Sequence, residues 1–241
     1  MKVVRVRPEN ELEFSERIRA LEAHAVYPLG SDRFRLDHGP DYFAFFRRLG
    51  ELRTYAALIG GRVACVASAV LRPVRRCDGR IVRAWYLCDL KVDPEFRGLR
   101  LPSRLFGRAF LTTYLRCPRG FAVTMNPGDG SANRVVPLLE RFPWVPLRRA
   151  GELVFYVWSE SELLGVKPLL DAELGAWRLR SLAGIKDLIL ESTGKPWRLY
   201  HIEGRSCLDG RTDGTTALPA PGGAHMLCLP RGGRLDQRLQ A

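Results

Sequence analysis

The sequence predicts a mixed α/β (α+β) fold, in which a mostly antiparallel, twisted sheet is flanked by helices. Apolar residues alternate with a period of two in several short segments and recur every three to four residues in others. A third observation is the Asp78-Gly79 pair between two apolar runs, which is typical of a hairpin turn. Consecutive strands of this kind predict an antiparallel meander.

Strands and helices are predicted in a definite order along the first two thirds of the chain. Strands are predicted at residues 3–7, 53–59, 62–71, 80–92, 121–125 (buried), 145–147 and 152–158, and helices at residues 10–22, 42–49, 101–113 and 133–142. A loop that contains Pro28, Gly30 and Gly39 separates the first two helices. This order indicates a sheet with helices on its faces.

Residues 159–241 are predicted to form a C-terminal extension. In it, residues 163–177 and 179–191 fit helices, residues 197–203 and 224–229 fit strands, and residues 235–239 fit a short helix. Residues 204–223 are rich in Gly, Thr and Pro, which favours a loop or linker. Three roles stay open for this extension: a lid, a dimer arm or a small second domain.

The composition limits the class of protein. Of the 241 residues, 46% are hydrophobic and 27% charged, which suffices for one large core or for one domain with a small second one. The apolar runs are shorter than the ~18 residues of a membrane-spanning helix, and the basic N-terminus lacks the apolar stretch of a signal peptide. The six cysteines have no CxxC spacing, so neither a metal site nor a disulfide framework is expected. We expect a soluble, cytoplasmic protein with no membrane partner.

The charge balance favours anionic partners. The net charge is +12 and the sequence pI is about 9.9, and most of the positive charge is arginine. Nucleic acid, an acidic carrier protein or a polyphosphate cofactor would suit such a chain. Because the arginines are spread along the chain, ordinary solvated surface accounts for much of this charge, and a specific nucleic-acid role is not expected.

Residues 85–110 carry the strongest chemical pattern. A strand ends at Pro94, a short basic loop follows, and a helix begins near Leu101. The backbone N–H groups of such a loop, together with the helix N-terminus, attract anions, and Arg97, Arg100 and Arg104 add formal charge. A pyrophosphate group fits this site.

The segment Val92-Asp-Pro-Glu-Phe-Arg-Gly98 resembles the cofactor motif of GNAT superfamily N-acyltransferases, in which an Arg/Gln-x-x-Gly-x-Gly/Ala loop joins the fourth strand to a long helix. The element order of residues 1–158 is also similar, so we assign these residues to a GNAT-like acyltransferase domain. The resemblance implies acetyl-CoA or another acyl-CoA as co-substrate, and the amine of a small molecule or protein as acceptor. A homodimer is a further expectation.

The resemblance also implies which residues bind the cofactor. Backbone groups of Leu90, Lys91 and Val92 would contact the pantetheine arm and the thioester carbonyl. Asn133, at the start of the next helix, matches the family's asparagine that contacts the cofactor. The pyrophosphate would lie on Arg97, Gly98, Leu99, Arg100, Leu101, Pro102 and Ser103.

Two residues depart from the family's pattern. Arg100 and Pro102 stand where the family has small residues. Glycine lets the backbone approach phosphate closely, whereas arginine adds bulk and charge, and proline donates no N–H. Three consequences stay open: CoA bound less tightly through side chains, an acyl carrier protein as the donor instead, or loss of catalysis in a GNAT-like binding module.

Asp89 is the predicted base, acting on the amine directly or through a water. It matches an acid of polyamine-type GNAT enzymes, while Cys88 occupies the place of a second acid. The alternative is that Asp89 only pairs with an arginine. The family's general-acid tyrosine would fall at Glu140, so Glu140 and Tyr86 are the candidate acids. Their structural alternatives are a solvated helix residue and a core or rim aromatic.

Two histidines lie in the C-terminal strand segments. His201 and His225 could meet in space as an acid/base pair or as a lid contact. A lone histidine on a strand is more often structural, and that alternative stays open.

Overall fold

A computed structural model describes residues 1–76, 78–126, 133, 135–140, 145, 147–204, 219 and 221–240. The chain divides into two compact units, Met1–Val145 and Pro146–Ala241. The predicted fold class is confirmed, since the strands are mostly antiparallel and helices flank them. In the part of the chain that the structure describes, no helix is long and apolar enough to cross a membrane.

The first unit is built around a five-stranded sheet. The strands of the first unit are β1 (Lys2–Val6), β2 (Tyr27–Leu29), β3 (Asp32–Asp37), β4 (Glu51–Ile59), β5 (Arg62–Arg75), β6 (Ile81–Val92) and β7 (Gly120–Ala122). Its helices are α1 (Glu11–Glu22), α2 (Ala44–Leu49), α3 (Leu101–Arg116) and α4 (Val135–Glu140). The sheet has the order β1-β4-β5-β6-β7, in which only β6 and β7 are parallel. β2 and β3 pair as an antiparallel hairpin where a loop was predicted.

The helices of the first unit bury the apolar stripes that the sequence predicted. On α1, Phe14, Ile18 and Leu21 are buried at helical spacing. On α3, Leu101 and Leu105 are about 1% exposed and pack against the apolar side chains of β4 and β5. The period of each stripe therefore fixes which face of each helix meets the sheet.

Among the described residues, the second unit contains five strands and two helices. Its strands are β8 (Leu153–Trp158), β9 (Trp177–Ser181), β10 (Asp187–Leu190), β11 (Pro196–Gly204) and β12 (Gly223–Pro230), and its helices are α5 (Glu160–Leu174) and α6 (Arg234–Gln240). β11 pairs with β9 and β10 antiparallel and with β12 in parallel, and β12 pairs with β8 antiparallel. Leu163 and Leu170 of α5 pack with Trp177 in its core.

Two secondary-structure predictions are wrong. The helix predicted at residues 179–191 is absent. Residues 179–181 lie in β9, where buried Trp177 and Leu179 alternate with arginines, and residues 187–190 lie in β10. The strand predicted to be buried at residues 121–125 is the short β7, whose three residues are exposed. In both segments the tertiary context decides the outcome.

The division between the units lies earlier than the boundary predicted at residue 158. β8 pairs with β12 along its whole length, from Leu153↔Pro230 to Trp158↔His225. β8 therefore belongs to the second unit, which begins at Pro146. At the described residues of segment 145–147, the predicted strand is absent.

Candidate active site

A β-bulge interrupts β6 at Asp89 and Leu90. The pairing of β5 with β6 shifts between Val66 and Ser68, so that one residue of β5 faces two residues of β6. Asp89 has a left-handed φ of 57°, a region that aspartate enters more readily than most residues with a side chain. The bulge therefore reverses the alternation of side chains along the end of β6.

This reversal separates the polar and apolar side chains at the end of β6. Leu90 and Val92 pack in the cluster that contains Leu101 and Leu105 of α3. Lys91 pairs with Val66 of β5 and so points to the opposite face of the sheet. The two faces of one short strand segment thus meet different surroundings.

β7 covers β6 along only part of its length. Their parallel pairing runs from Trp85↔Gly120 to Leu87↔Ala122 and ends there. On its other side β6 stays paired with β5 as far as Val92. Positions 89–92 of β6 therefore lie beyond β7, and the described residues include no strand paired with them on that edge.

A group of polar side chains, which we name the Lys91 cluster, is buried beside the bulge. Lys91 Nζ donates to Tyr42 Oη at 2.8 Å, lies 3.0 Å from Glu22 Oε1 and forms an ion pair with Asp89. Tyr42 Oη donates to Asp89 Oδ2 at 2.6 Å, and His38 Nδ1 lies 3.0 Å from Glu22 Oε2. The side chains of Lys91, Asp89 and Glu22 are at most 5% exposed.

The charges in the Lys91 cluster stabilise one another. Burial lowers the pKa of Lys91, but the nearby carboxylates of Asp89 and Glu22 outweigh it and raise that pKa above its usual value. Burial raises the pKa of Glu22, but the hydrogen bond with His38 and the charge of Lys91 lower it overall. Burial and the charge of Asp89 raise the pKa of Tyr42 well above its usual value. At neutral pH the cluster thus holds an ammonium and a carboxylate in contact.

The loop between β6 and α3 has two left-handed residues. Asp93 accepts a hydrogen bond from the backbone of Glu95 at 3.0 Å, which forms the tight turn after β6. Gly98 has a φ of 84°, and Arg100, directly before α3, has a φ of 54°. A glycine would adopt the second conformation without strain, so Arg100 is an exception to the usual preference.

Exposed cations surround this loop. Arg97, Arg100 and Arg104 are exposed, whereas Leu101 is buried under the helix start. A surface pocket of about 310 Å³ opens here, and its lining residues are Met1, Ile59, Gly98, Leu99, Arg100, Leu101 and Arg104. Pro102 lies in the first turn of α3, where its missing N–H removes no intrahelical hydrogen bond. The loop can therefore attract an anion through side chains and the helix N-terminus.

The structure brings some predicted site residues together. Asp89, Leu90, Lys91 and Val92 form the bulged end of β6, and Asp93 leads from there into the loop of residues 97–103. Asp89 pairs with a lysine and not with an arginine, and it also binds a tyrosine. Since its side chain is 3% exposed, an amine must enter the Lys91 cluster to reach it directly.

The other predicted residues lie on neighbouring elements. Tyr86 stacks on Phe121 of β7, with ring centroids 5.1 Å apart. Asn133 accepts hydrogen bonds from the backbone of Val135 and Val136, and so caps α4, while its amide donates to Thr124 Oγ1 at 2.9 Å. Glu140 is exposed in the last turn of α4. The roles predicted for these residues stay predictions.

The sequence did not reveal three members of the Lys91 cluster: Glu22, His38 and Tyr42. One signal existed, because Glu22 follows Ile18 by four residues and so falls on the buried stripe of α1. A charged residue on an apolar stripe indicates a buried partner. No comparable sequence pattern marked His38 or Tyr42.

The two C-terminal histidines do not meet. β11 and β12 pair in parallel with Tyr200 opposite His225 and His201 opposite Met226, so the two histidines point to opposite faces. The ring of His225 stacks on Tyr200 with centroids 5.6 Å apart. The hypothesis of an acid/base pair is wrong.

The order expected from the resemblance, with three antiparallel strands, the loop at Arg97 and Gly98, a long helix and a parallel strand, is present in residues 51–122. The first unit has a GNAT-like fold. No protein-family model matches the sequence, and no curated protein matches it.

Several solved acetyltransferases are similar to this chain over part of its length. One is an aminoglycoside N-acetyltransferase in complex with CoA, at 13% identity over 64% of this chain and 97% of that chain, with a TM-score of 0.41. Another is an aminoglycoside antibiotic 6'-N-acetyltransferase from Acinetobacter haemolyticus, at 10% identity, 65% and 97% coverage and a TM-score of 0.40. A third is an acetyltransferase from Trypanosoma brucei, at 18% identity, 63% and 96% coverage and a TM-score of 0.40.

Proposed function

We propose that this protein transfers an acyl group from acetyl-CoA, or another acyl-CoA, to an amine. The observation that carries the proposal is the end of β6, where positions 89–92 extend beyond β7 and lead into the loop before α3. Extended backbone in this position suits the amide groups of a pantetheine arm. The helix N-terminus and the exposed Arg97, Arg100 and Arg104 suit a pyrophosphate at the other end of that arm.

The reaction requires one bond to form and one to break. The neutral amine nitrogen attacks the thioester carbonyl carbon, the C–N bond forms, the C–S bond breaks, and the proton lost by the amine ends on the thiolate. Backbone N–H groups at positions 89–92 of β6 would stabilise the oxyanion. Asp89 is the proposed base, through a water or after the amine displaces Tyr42 or Lys91 from it. Tyr86 and Glu140 stay the proposed acids for the leaving thiolate.

Titration calorimetry with CoA and acetyl-CoA tests the donor. We expect both to bind, and we expect Arg97→Gln to weaken binding about tenfold, because one charge-assisted hydrogen bond contributes about 1.5–3 kcal/mol. Arg48→Gln on α2 is the matched control, since it removes the same charge from an exposed site. We expect the control to bind like the unchanged protein. No binding of either ligand at millimolar concentration would contradict the acyl-CoA proposal.

An acyl carrier protein is the alternative donor. The left-handed Arg100 and the absent N–H of Pro102 favour it, because both alter a loop that should hold CoA pyrophosphate. Transfer rates from one acyl group presented on CoA and on a carrier protein distinguish the two donors. Equal or faster transfer from acyl-CoA would reject the carrier protein.

A further inference from the structure

The hairpin between β5 and β6 extends beyond the rest of the sheet. β4 pairs with β5 only as far as Leu71, and β7 pairs with β6 only from Trp85 onward. In between, Arg72↔Ala84 to Arg75↔Ile81 pair with each other alone among the described residues. Four residue pairs, each of which adds about 3.4 Å of length, make a two-stranded ribbon about 14 Å long. The turn lies beyond them. We name residues 72–84 the basic ribbon.

The basic ribbon collects positive charge. Its arginines are Arg72, Arg75, Arg76, Arg80 and Arg83, and its single acid is Asp78. The side chains of Arg76 and Arg83 are 57% and 61% exposed, and each lies 3.6 Å from one carboxylate. Among the described residues, no carboxylate lies within ion-pair distance of the other three arginines.

Both faces of the basic ribbon carry arginine. Because side chains alternate along a strand, Arg75 projects to one face and Arg72 to the other. Arg83 pairs with Pro73 and so shares the face of Arg75. The expectation that the arginines are spread along the chain missed this local concentration, which the hairpin brings onto one ribbon.

We propose that the basic ribbon binds duplex DNA through its phosphates. A two-stranded ribbon fits the major groove of B-DNA, about 12 Å wide, and arginines on both faces then reach the two backbones that border it. The major groove of duplex RNA is too narrow and deep for such a ribbon. Guanidinium groups pair with phosphate in a bidentate way, and the net charge of +12 adds attraction.

The position of the basic ribbon separates it from the proposed acyl site. Ile81 precedes Lys91 by ten residues on β6, which corresponds to roughly 30 Å. The DNA proposal is independent of acyl transfer, and each can fail alone.

Fluorescence anisotropy with a labelled 20-base-pair duplex of mixed sequence tests the proposal between 50 and 200 mM salt. With up to five phosphates contacted, we expect log K to fall with log salt at a slope of about −4.5. The triple variant Arg72→Gln, Arg75→Gln, Arg80→Gln should lose more than tenfold in affinity at 100 mM salt, and its slope should become shallower by about 2.7. If that variant fails to fold, Arg75→Gln alone should reduce the slope by about 1.

The matched control removes the same charge elsewhere. Arg48, Arg108 and Arg198 are exposed and lie off the ribbon, and changing all three to Gln should alter DNA affinity less than threefold. Equal losses in both triple variants would assign binding to net charge and overturn the proposal. So would absent binding by the unchanged protein, tighter binding of duplex RNA, or displacement of DNA by polyglutamate at equal charge, which would indicate an acidic protein.

Discussion

Lys91 is the residue on which the buried charges of the first unit depend. Its ammonium lies between the carboxylates of Asp89 and Glu22, and its side chain is 5% exposed. Burying one charge without a partner costs several kcal/mol, whereas this arrangement compensates charges within contact distance. The bulge at Asp89 and the end of α1 are therefore held by one side chain.

Replacing that ammonium should destabilise the first unit strongly. In Lys91→Met, two carboxyl groups stay buried without a cation, and we expect a loss of about 3–5 kcal/mol at pH 7.5. Because burial then raises the pKa of the Glu22 carboxyl, stability should be lost as pH rises above about 4.5, so the loss should be smaller at pH 5. Urea unfolding at both pH values measures this difference.

The exposed Lys2 on β1 provides the control. Lys2→Met removes the same charge from the same unit and should change stability by less than about 1 kcal/mol. Equal effects of the two variants, or a Lys91→Met loss that does not depend on pH, would show that the cluster is not a set of coupled charges.

Residues of the candidate site were predictable only in and beside the segment that resembles a cofactor motif. Asp89 and Lys91 lie on the strand directly before the segment that resembles a known cofactor motif, so the resemblance identified both. Tyr42 and His38 come from a region without a motif and enter the cluster through tertiary contacts. The hydrogen bond between Tyr42 and Asp89 joins residues 47 positions apart, and a contact over that distance produces no periodic pattern in the sequence.

Secondary elements were predictable where their pattern agreed with their surroundings. The stripe of α3 and the turn at Asp78-Gly79 specify a helix and a hairpin locally, and both are present. Residues 179–191 carry apolar residues that fit either period, and only their pairing with β11 makes them strands. The strand β8 was predicted correctly, but its place in the second unit was not, because its partner β12 lies about 70 residues away.

Two glycines of the loop and helix after β6 should respond oppositely to one substitution. Gly107 lies inside α3 with nothing within 4 Å of an added Cβ, so Gly107→Ala should stabilise the first unit by about 0.5–1 kcal/mol. Gly98 also has open space, but its φ of 84° is left-handed, so Gly98→Ala should destabilise by about 1–2 kcal/mol.

Denaturant unfolding of the two glycine variants measures both signs. Neither substitution adds a contact, so any difference between them comes from backbone conformation alone. A shift in the same direction for both variants would mean that the loop does not hold Gly98 in its left-handed conformation.

At the scale of the whole molecule, three clusters of buried apolar residues each lie within one unit. The clusters around Leu101 and Trp85 contain only residues of the first unit, and the cluster around Leu163 contains only residues of the second. Different parts of one chain can open at different free energies. The buried titratable groups of the two units also differ, which gives each unit its own response to acid.

Acid should destabilise the second unit first. Burial, with Lys186 and Arg180 nearby, lowers the pKa of His201 to about 3, and burial also lowers the pKa of His225. A histidine whose pKa is lower in the folded protein than in the unfolded one stabilises the fold fully at pH values above its unfolded pKa, near 6.5. That contribution is lost as pH falls, by up to about 1.4 kcal/mol per pH unit. Glu22 in the first unit loses its contribution only below about pH 4.5.

Hydrogen exchange with mass spectrometry at pH 7 and pH 5 separates these responses by peptide. We expect faster opening at pH 5 in residues 147–204 and little change in residues 1–76, after correction for the intrinsic pH dependence of exchange.

His201→Leu should remove more than half of that acid effect, because Nε2 of His201 is buried without a hydrogen-bond partner among the described residues and leucine leaves no group to protonate. His24→Leu changes an exposed histidine and should leave the acid effect intact. Equal opening of both units at pH 5 would contradict the prediction, and an unchanged acid effect in His201→Leu would assign it to His225 instead.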